Sequence, residues 1–145
     1  MKKIFTLLAL IISFNVNAQV STNSTSPTGI YASAMGNGTT ASGNESTAMG
    51  YDTTASGEAS TAMGYSTTAS AQSSTAIGRS TTASGTNSTA MGNGSTASDF
   101  GSTVIGQYNS SGSSVTNNAT SFSTSNTAFV IGNGADASNK SDAFK

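Results

Sequence analysis

Gly36, Gly50, Gly64, Gly78, Gly92 and Gly106 stand fourteen residues apart without a slip. Each closes a short phrase: SAMG, STAMG, STAMG, STAIG, STAMG and STVIG in turn. Half a period later comes a second phrase, TTASG from Thr39, Thr53 and Thr81, TTASA from Thr67 and STASD from Ser95. A Ser/Thr-rich chain under no structural constraint would drift in register, and this one does not. Fourteen residues are too few for a helical hairpin, and each helical glycine would cost about 1 kcal/mol. They suffice for two strands of about five residues and two tight turns, which is one coil of a parallel β-solenoid. Each coil then adds one rung, about 4.8 Å high, to two parallel sheets. The recurring glycine falls where the chain turns and positive φ is needed.

Strand alternation divides each phrase into two faces. In Ser46–Met49, Thr47 and Met49 share one face, and Ser46 and Ala48 the other. Side-chain hydrophobicity places the ladder of Met35, Met49, Met63, Ile77, Met91, Ile105 and Ile131 inside the roll. The row Ala34, Ala48, Ala62, Ala76, Ala90, Val104 is then expected outside, as a smooth surface for another copy. In the second phrase Thr53 and Ala55 are expected to face in, and Thr54 and Ser56 out. One coil cannot stand alone. Burying a Met contributes about 1.5–3 kcal/mol, while fixing each backbone residue costs about 1–2 kcal/mol. A core this thin points to stacking and oligomerisation.

Composition removes most other functions. There is no Cys or His, so no disulfide, thiolate nucleophile, catalytic triad or histidine metal site. Neither a catalytic residue nor a cofactor is expected. The carboxylates Glu45, Asp52, Glu58, Asp99, Asp136 and Asp142 are scattered and read as solvated turn charges. Gly132–Asp136 resembles a calcium-binding Gly-rich nonapeptide but occurs once. Lys2 and Lys3, then the apolar run 4–14, then Val16-Asn17-Ala18 read as a signal peptide over 1–18. The apolar run is too short to span a bilayer, which needs about 20 residues. Past it, Arg79, Lys140 and Lys145 oppose six carboxylates, which gives no basic footprint for nucleic acid or an anionic membrane. No membrane-spanning segment is expected in the mature chain.

The phrases Ser88-Thr89-Ala90-Met91-Gly92 and Ser102-Thr103-Val104-Ile105-Gly106 resemble the head repeats of trimeric autotransporter adhesins, the YadA-like head family. The resemblance covers about 30–107 and returns at 128–138. It implies a left-handed parallel β-roll assembled as a homotrimer, secreted and displayed at the cell surface or outer membrane. It also implies multivalent attachment to a matrix protein or surface glycan through the repeat motif. Carried onto this chain, that motif gives Ser46, Ala48, Gly50, Ser60, Ala62, Gly64, Ser74, Ala76, Gly78, Ser88, Ala90 and Gly92. The stretch 129–134 followed by 139–144 is also similar to segments that precede tail-fibre-type chaperone domains in secreted bacterial proteins. No neck, heptad stalk or membrane-anchor strands follow the head, so 128–145 reads as a final, truncated partial repeat.

The organisation expected is therefore all-β. A leading segment at 19–29 precedes regular repeats at 30–107, and an irregular coil or loop fills 108–127. In that last segment Val115 and Phe122 are candidates to continue the core. Two other functions fit the same roll. It could be an inert spacer or fibre segment, or an ice binder using the hydroxyl array of Thr40, Ser42, Thr54, Ser56, Thr68, Ser70, Thr82, Ser84, Thr96 and Ser98.

Overall fold

The computed structural model describes residues 24–110 and 118–145, so the expected signal peptide and Val115 lie outside the described residues. The chain winds as a solenoid in which strands of two and of five residues alternate as far as residue 107, followed by one strand of five and one of three. These are β1 (Ser26–Pro27), β2 (Ser33–Asn37), β3 (Thr40–Ala41), β4 (Thr47–Tyr51), β5 (Thr54–Ala55), β6 (Thr61–Tyr65) and β7 (Thr68–Ala69). Then follow β8 (Thr75–Arg79), β9 (Thr82–Ala83), β10 (Thr89–Asn93), β11 (Thr96–Ala97), β12 (Thr103–Gln107), β13 (Phe129–Asn133) and β14 (Asp142–Phe144). The long strands form an eight-stranded sheet and the short ones a six-stranded sheet. Pairing is parallel and in register, Met49 on Met63 and Ala55 on Ala69, one coil apart. Ser26–Pro27 already pairs with Thr40–Ala41, so the roll begins within the expected leading segment.

The register dictates the glycines. Gly50, Gly64, Gly78 and Gly92 have φ between 123 and 126°. A Cβ at Gly50 would fall on the carbonyl oxygen of Gly64 in the next rung. Both corners of each coil carry a residue in the left-handed region, Ala59 and Ser66 for example, at φ 53 and 51°. Each donates its N–H to the preceding coil, Ala59 to Asn44 O and Ser66 to Tyr51 O, both at 2.8 Å. The corners are thus hydrogen-bonded rung to rung as the strands are.

The lumen overturns the expected core. Ala34, Ala48, Ala62, Ala76, Ala90 and Val104 line the interior, all 1% exposed or less, and form no outer surface. Met35, Met49, Met63, Ile77, Met91, Ile105 and Ile131 point outward, Met35 and Met91 being 40 and 41% exposed. The reason is width. A fourteen-residue coil with a two-residue short side leaves room between its sheets for Ala, Ser, Thr and an occasional Val. A Met in every rung would overfill it. The short strand obeys the expectation: Thr53 and Ala55 are buried, whereas Thr54 is half-buried and Ser56 exposed. Hydroxyls share the lumen. Ser46, Ser74 and Ser102 donate to the corner carbonyl three residues back, at 2.6, 2.7 and 2.8 Å. Thr39, Thr53, Thr67 and Thr81 are buried with Oγ1 unpartnered.

The C-terminal end departs from the repeat. Strand β13 stacks directly on β12, Thr103 opposite Phe129 and Val104 opposite Val130. No five-residue strand therefore intervenes between these two in the long-strand sheet, and of the described residues between them Asn118 O and Ala119 O accept from the corner N–H groups of Phe100 and Thr86 at 3.0 and 2.7 Å. Phe122, 76% exposed, does not continue the core. Where Thr82 N–H bonds Ser95 O of the next rung, Thr96 N–H bonds instead the side-chain Oδ1 of Asn109 at 2.8 Å. Asn109 Nδ2 donates back to Thr96 O at 3.1 Å. Asp99, expected as a solvated turn charge, is fully buried and accepts from Thr127 N–H at 2.8 Å. Strand β14 then pairs antiparallel with β13.

Candidate functional site

Regular coils present three kinds of outward surface. The first is the outer face of the long-strand sheet, where alternation sets Thr47, Thr61, Thr75, Thr89 and Thr103 in one column. The Met/Ile ladder lies beside it in a second. No charged side chain falls in either column. An uncharged, partly apolar face of this length is the kind of surface that marks an interaction site.

The second is the corner beyond the glycines. The residue after each glycine varies from coil to coil: Asn37, Tyr51, Tyr65, Arg79, Asn93, Gln107. Tyr51 and Tyr65 stack with ring centroids 5.1 Å apart and planes 7° from parallel. The Arg79 guanidinium sits 5.9 Å from the Tyr65 centroid. The opposite corner varies as well, and there Gln72 Nε2 donates to Glu58 Oε2 at 3.4 Å.

The third is the outer face of the short-strand sheet. Thr40, Thr54, Thr68, Thr82 and Thr96 form one in-register column there. Ser42, Ser56, Ser70, Ser84 and Ser98 form the next, and Ser84 Oγ donates to Ser98 Oγ at 3.3 Å.

The repeat motif does not form a contact surface as expected. Ser46, Ser60, Ser74, Ser88, Ala48, Ala62, Ala76 and Ala90 are wholly buried in the lumen. Of the expected motif only Gly50, Gly64, Gly78 and Gly92 reach the surface. Sequence reasoning missed the corner columns, although the signal was present: they vary within an otherwise constant repeat. Among the described residues no group of three His, Cys, Asp or Glu gathers as a metal site. Asp136, in the expected calcium-like stretch, accepts from the N–H groups of Ser138 and Asn139 at 2.8 and 2.9 Å. The side-chain amide of Asn139, with those N–H groups, holds its carboxyl below the usual carboxylate range.

The family model described as "YadA head domain repeat (2 copies)" matches residues 28–53, 55–81 and 83–109, more than half of the chain. The chain belongs to the YadA head repeat family. No curated protein and no solved structure matches it. The YadA head repeats here are an all-β solenoid of about six turns with coils about fourteen residues apart. They belong to a non-enzymatic family of surface-exposed adhesins of the outer membrane. Among the described residues no helix is long and apolar enough to cross a membrane.

Proposed function

We propose that this chain is the head of a surface-displayed adhesin that assembles as a homotrimer and attaches multivalently to a matrix protein or surface glycan. One observation carries the reading: the Thr and Met/Ile columns lie on the outside of a roll whose lumen is already filled by Ala, Ser and Thr. An outward apolar ladder adds nothing to the single coil's own core. Packed against two other copies, each outward Met contributes about 1.5–3 kcal/mol on burial. The interface is therefore the Thr–Met face, in place of the Ala–Val row expected from sequence. Assembly leaves the variable corners and the hydroxyl face outward, repeated along each roll and again around the axis. Weak contacts repeated in this way gain through effective concentration.

Sedimentation equilibrium of the purified chain, with binding to immobilised matrix proteins and glycans, tests the reading. A trimer that binds, and loses both mass and binding when Met63 and Met91 become Ser, is expected. A folded monomer would overturn it. The in-register Thr–Ser columns favour a second reading, ice binding through the short-strand sheet. That reading expects thermal hysteresis that falls when Thr54 and Thr68 are replaced by bulky residues. A spacer would be folded and inert in both assays.

A further inference from the structure

The Thr–Met face is nearly periodic. Sliding one copy along another by a single rung, about 4.8 Å, places Thr on Thr and Met or Ile on Met or Ile again. A face with such a repeat specifies its axial register weakly, as repetitive strands do. Closing three copies into a ring requires the offsets to sum to zero, and does not require each offset to be zero.

The period is broken slightly where Ser33 stands opposite Thr47, and strongly at one other level. Phe129 takes the column position of Thr103, and Ile131 continues the Met ladder beside it. Phe144 lies directly opposite Ile131 in the antiparallel pair. Residues directly opposite in such a pair share a face, so Phe144 joins the same outward surface. The rings of Phe129 and Phe144 meet at 6.0 Å between centroids and a tilt of 54°, a favourable aromatic arrangement. They remain 39 and 57% exposed, while Val130 between Phe129 and Ile131 is wholly inside the roll. The face is thus uniform along the coils and ends in one bulky aromatic cluster, continuous with the Thr–Met columns.

We propose that Phe129, Ile131 and Phe144 are a register lock for a second and third copy of this chain. The inference rests on the trimeric reading above. In the aligned assembly the clusters of all copies fall at one level and bury one another. A one-rung slip sets each cluster against Thr103 and Ile105 of its neighbour and leaves part of every ring in water. The lock therefore penalises slipped assemblies that the repeats themselves tolerate.

The chain has no cysteine, so Asn93→Cys supplies a single spin-label site in a corner column. Double electron–electron resonance on the labelled chain is expected to give one narrow distance between copies. Adding Phe129→Thr, which restores the repeat's own residue, and Phe144→Ser should split or broaden that distance. The same pair should raise the dissociation concentration about 10- to 100-fold, with an unchanged circular dichroism spectrum. Should Phe129→Thr disturb the roll, Phe144→Ser alone, on the last strand, gives the same reading in weaker form. Phe122→Ser, at a ring more exposed than either but outside the stacked coils, should change neither quantity. An unaltered narrow distance in the Phe129/Phe144 variant, with the Met63/Met91 variant still dissociating, overturns the lock and leaves the trimer standing. A monomeric parent chain overturns both.

Discussion

The two faces of a single strand, Thr61–Tyr65, are held to different standards. Inside, Ala62 is wholly buried between Ala48 and Ala76 of the neighbouring rungs, and its size is what matters. Outside, Met63 stands in its ladder at a position that Ile77 fills in the next coil. The lumen selects for volume, and the outer face for chemistry. Hydrophobicity ranks Met above Ala, yet the coil buries Ala because nothing larger fits. In a solenoid this narrow the apolar residue that matters most to the monomer is the smallest one.

Enlarging the lumen residue sharpens this contrast most. Ala62→Leu should cost about 3 kcal/mol or more, because the added carbons meet facing backbone with no room to relax. Urea unfolding should show an early transition or none, whereas Met63→Ser should leave the midpoint of the isolated roll within about 0.5 kcal/mol of the parent. Next in size is a change that keeps volume and alters polarity. Thr67→Val removes a buried, unpartnered hydroxyl at nearly constant shape, so it should stabilise by about 1–3 kcal/mol and raise the urea midpoint. No change, or a loss, would mean that the hydroxyl is partnered in solution.

A smaller effect lies at the corners, which belong to neither face. Ala59 stands in the left-handed region at φ 53°, where Asn87 occupies the same column in a later coil. Ala59→Asn should stabilise by about 0.5–1 kcal/mol, read as a higher thermal midpoint. Smallest is the pH response of the exposed turn at Asp136. Its carboxyl is held below its ordinary range by Asn139 and Ser138. The stability this gives is present above the ordinary carboxylate range and is lost as pH falls through the lowered value. Amide exchange at Ser138 and Asn139 should quicken only at that acid end, and Asp136→Asn should flatten the response.

Much of the architecture was legible in one sequence because the solenoid writes its geometry as a period. The spacing of Gly50 and Gly64 gives the rung, the parallel register and the need for a residue without Cβ. Facing on the short strand was legible too, since Thr53 and Ala55 are both small enough for the lumen. Facing on the long strand was not. Alternation yields two complementary sets, Ser46 with Ala48 and Thr47 with Met49, and does not say which is inside. Only the width of the coil decides, and that depends on the short strand's two-residue length. The contact surface was misplaced for the same reason, since constancy of Ser46 and Ala48 across the coils reflects packing against identical neighbours. The capping of Asp99 and Asn109 is visible only as departures, from Gly85 to Asp99 and from Thr81 through Ser95 to Asn109.

The side chain of Asn109 has a further consequence. An in-register parallel sheet that ends on bare N–H and C=O groups is a template on which another molecule's strand can be deposited, as in amyloid growth. By bonding both polar groups of Thr96, one amide occupies the next rung of the short-strand sheet, and β14 reverses direction to occupy that of the long-strand sheet. A chain built from near-identical stackable units thus carries its own terminator.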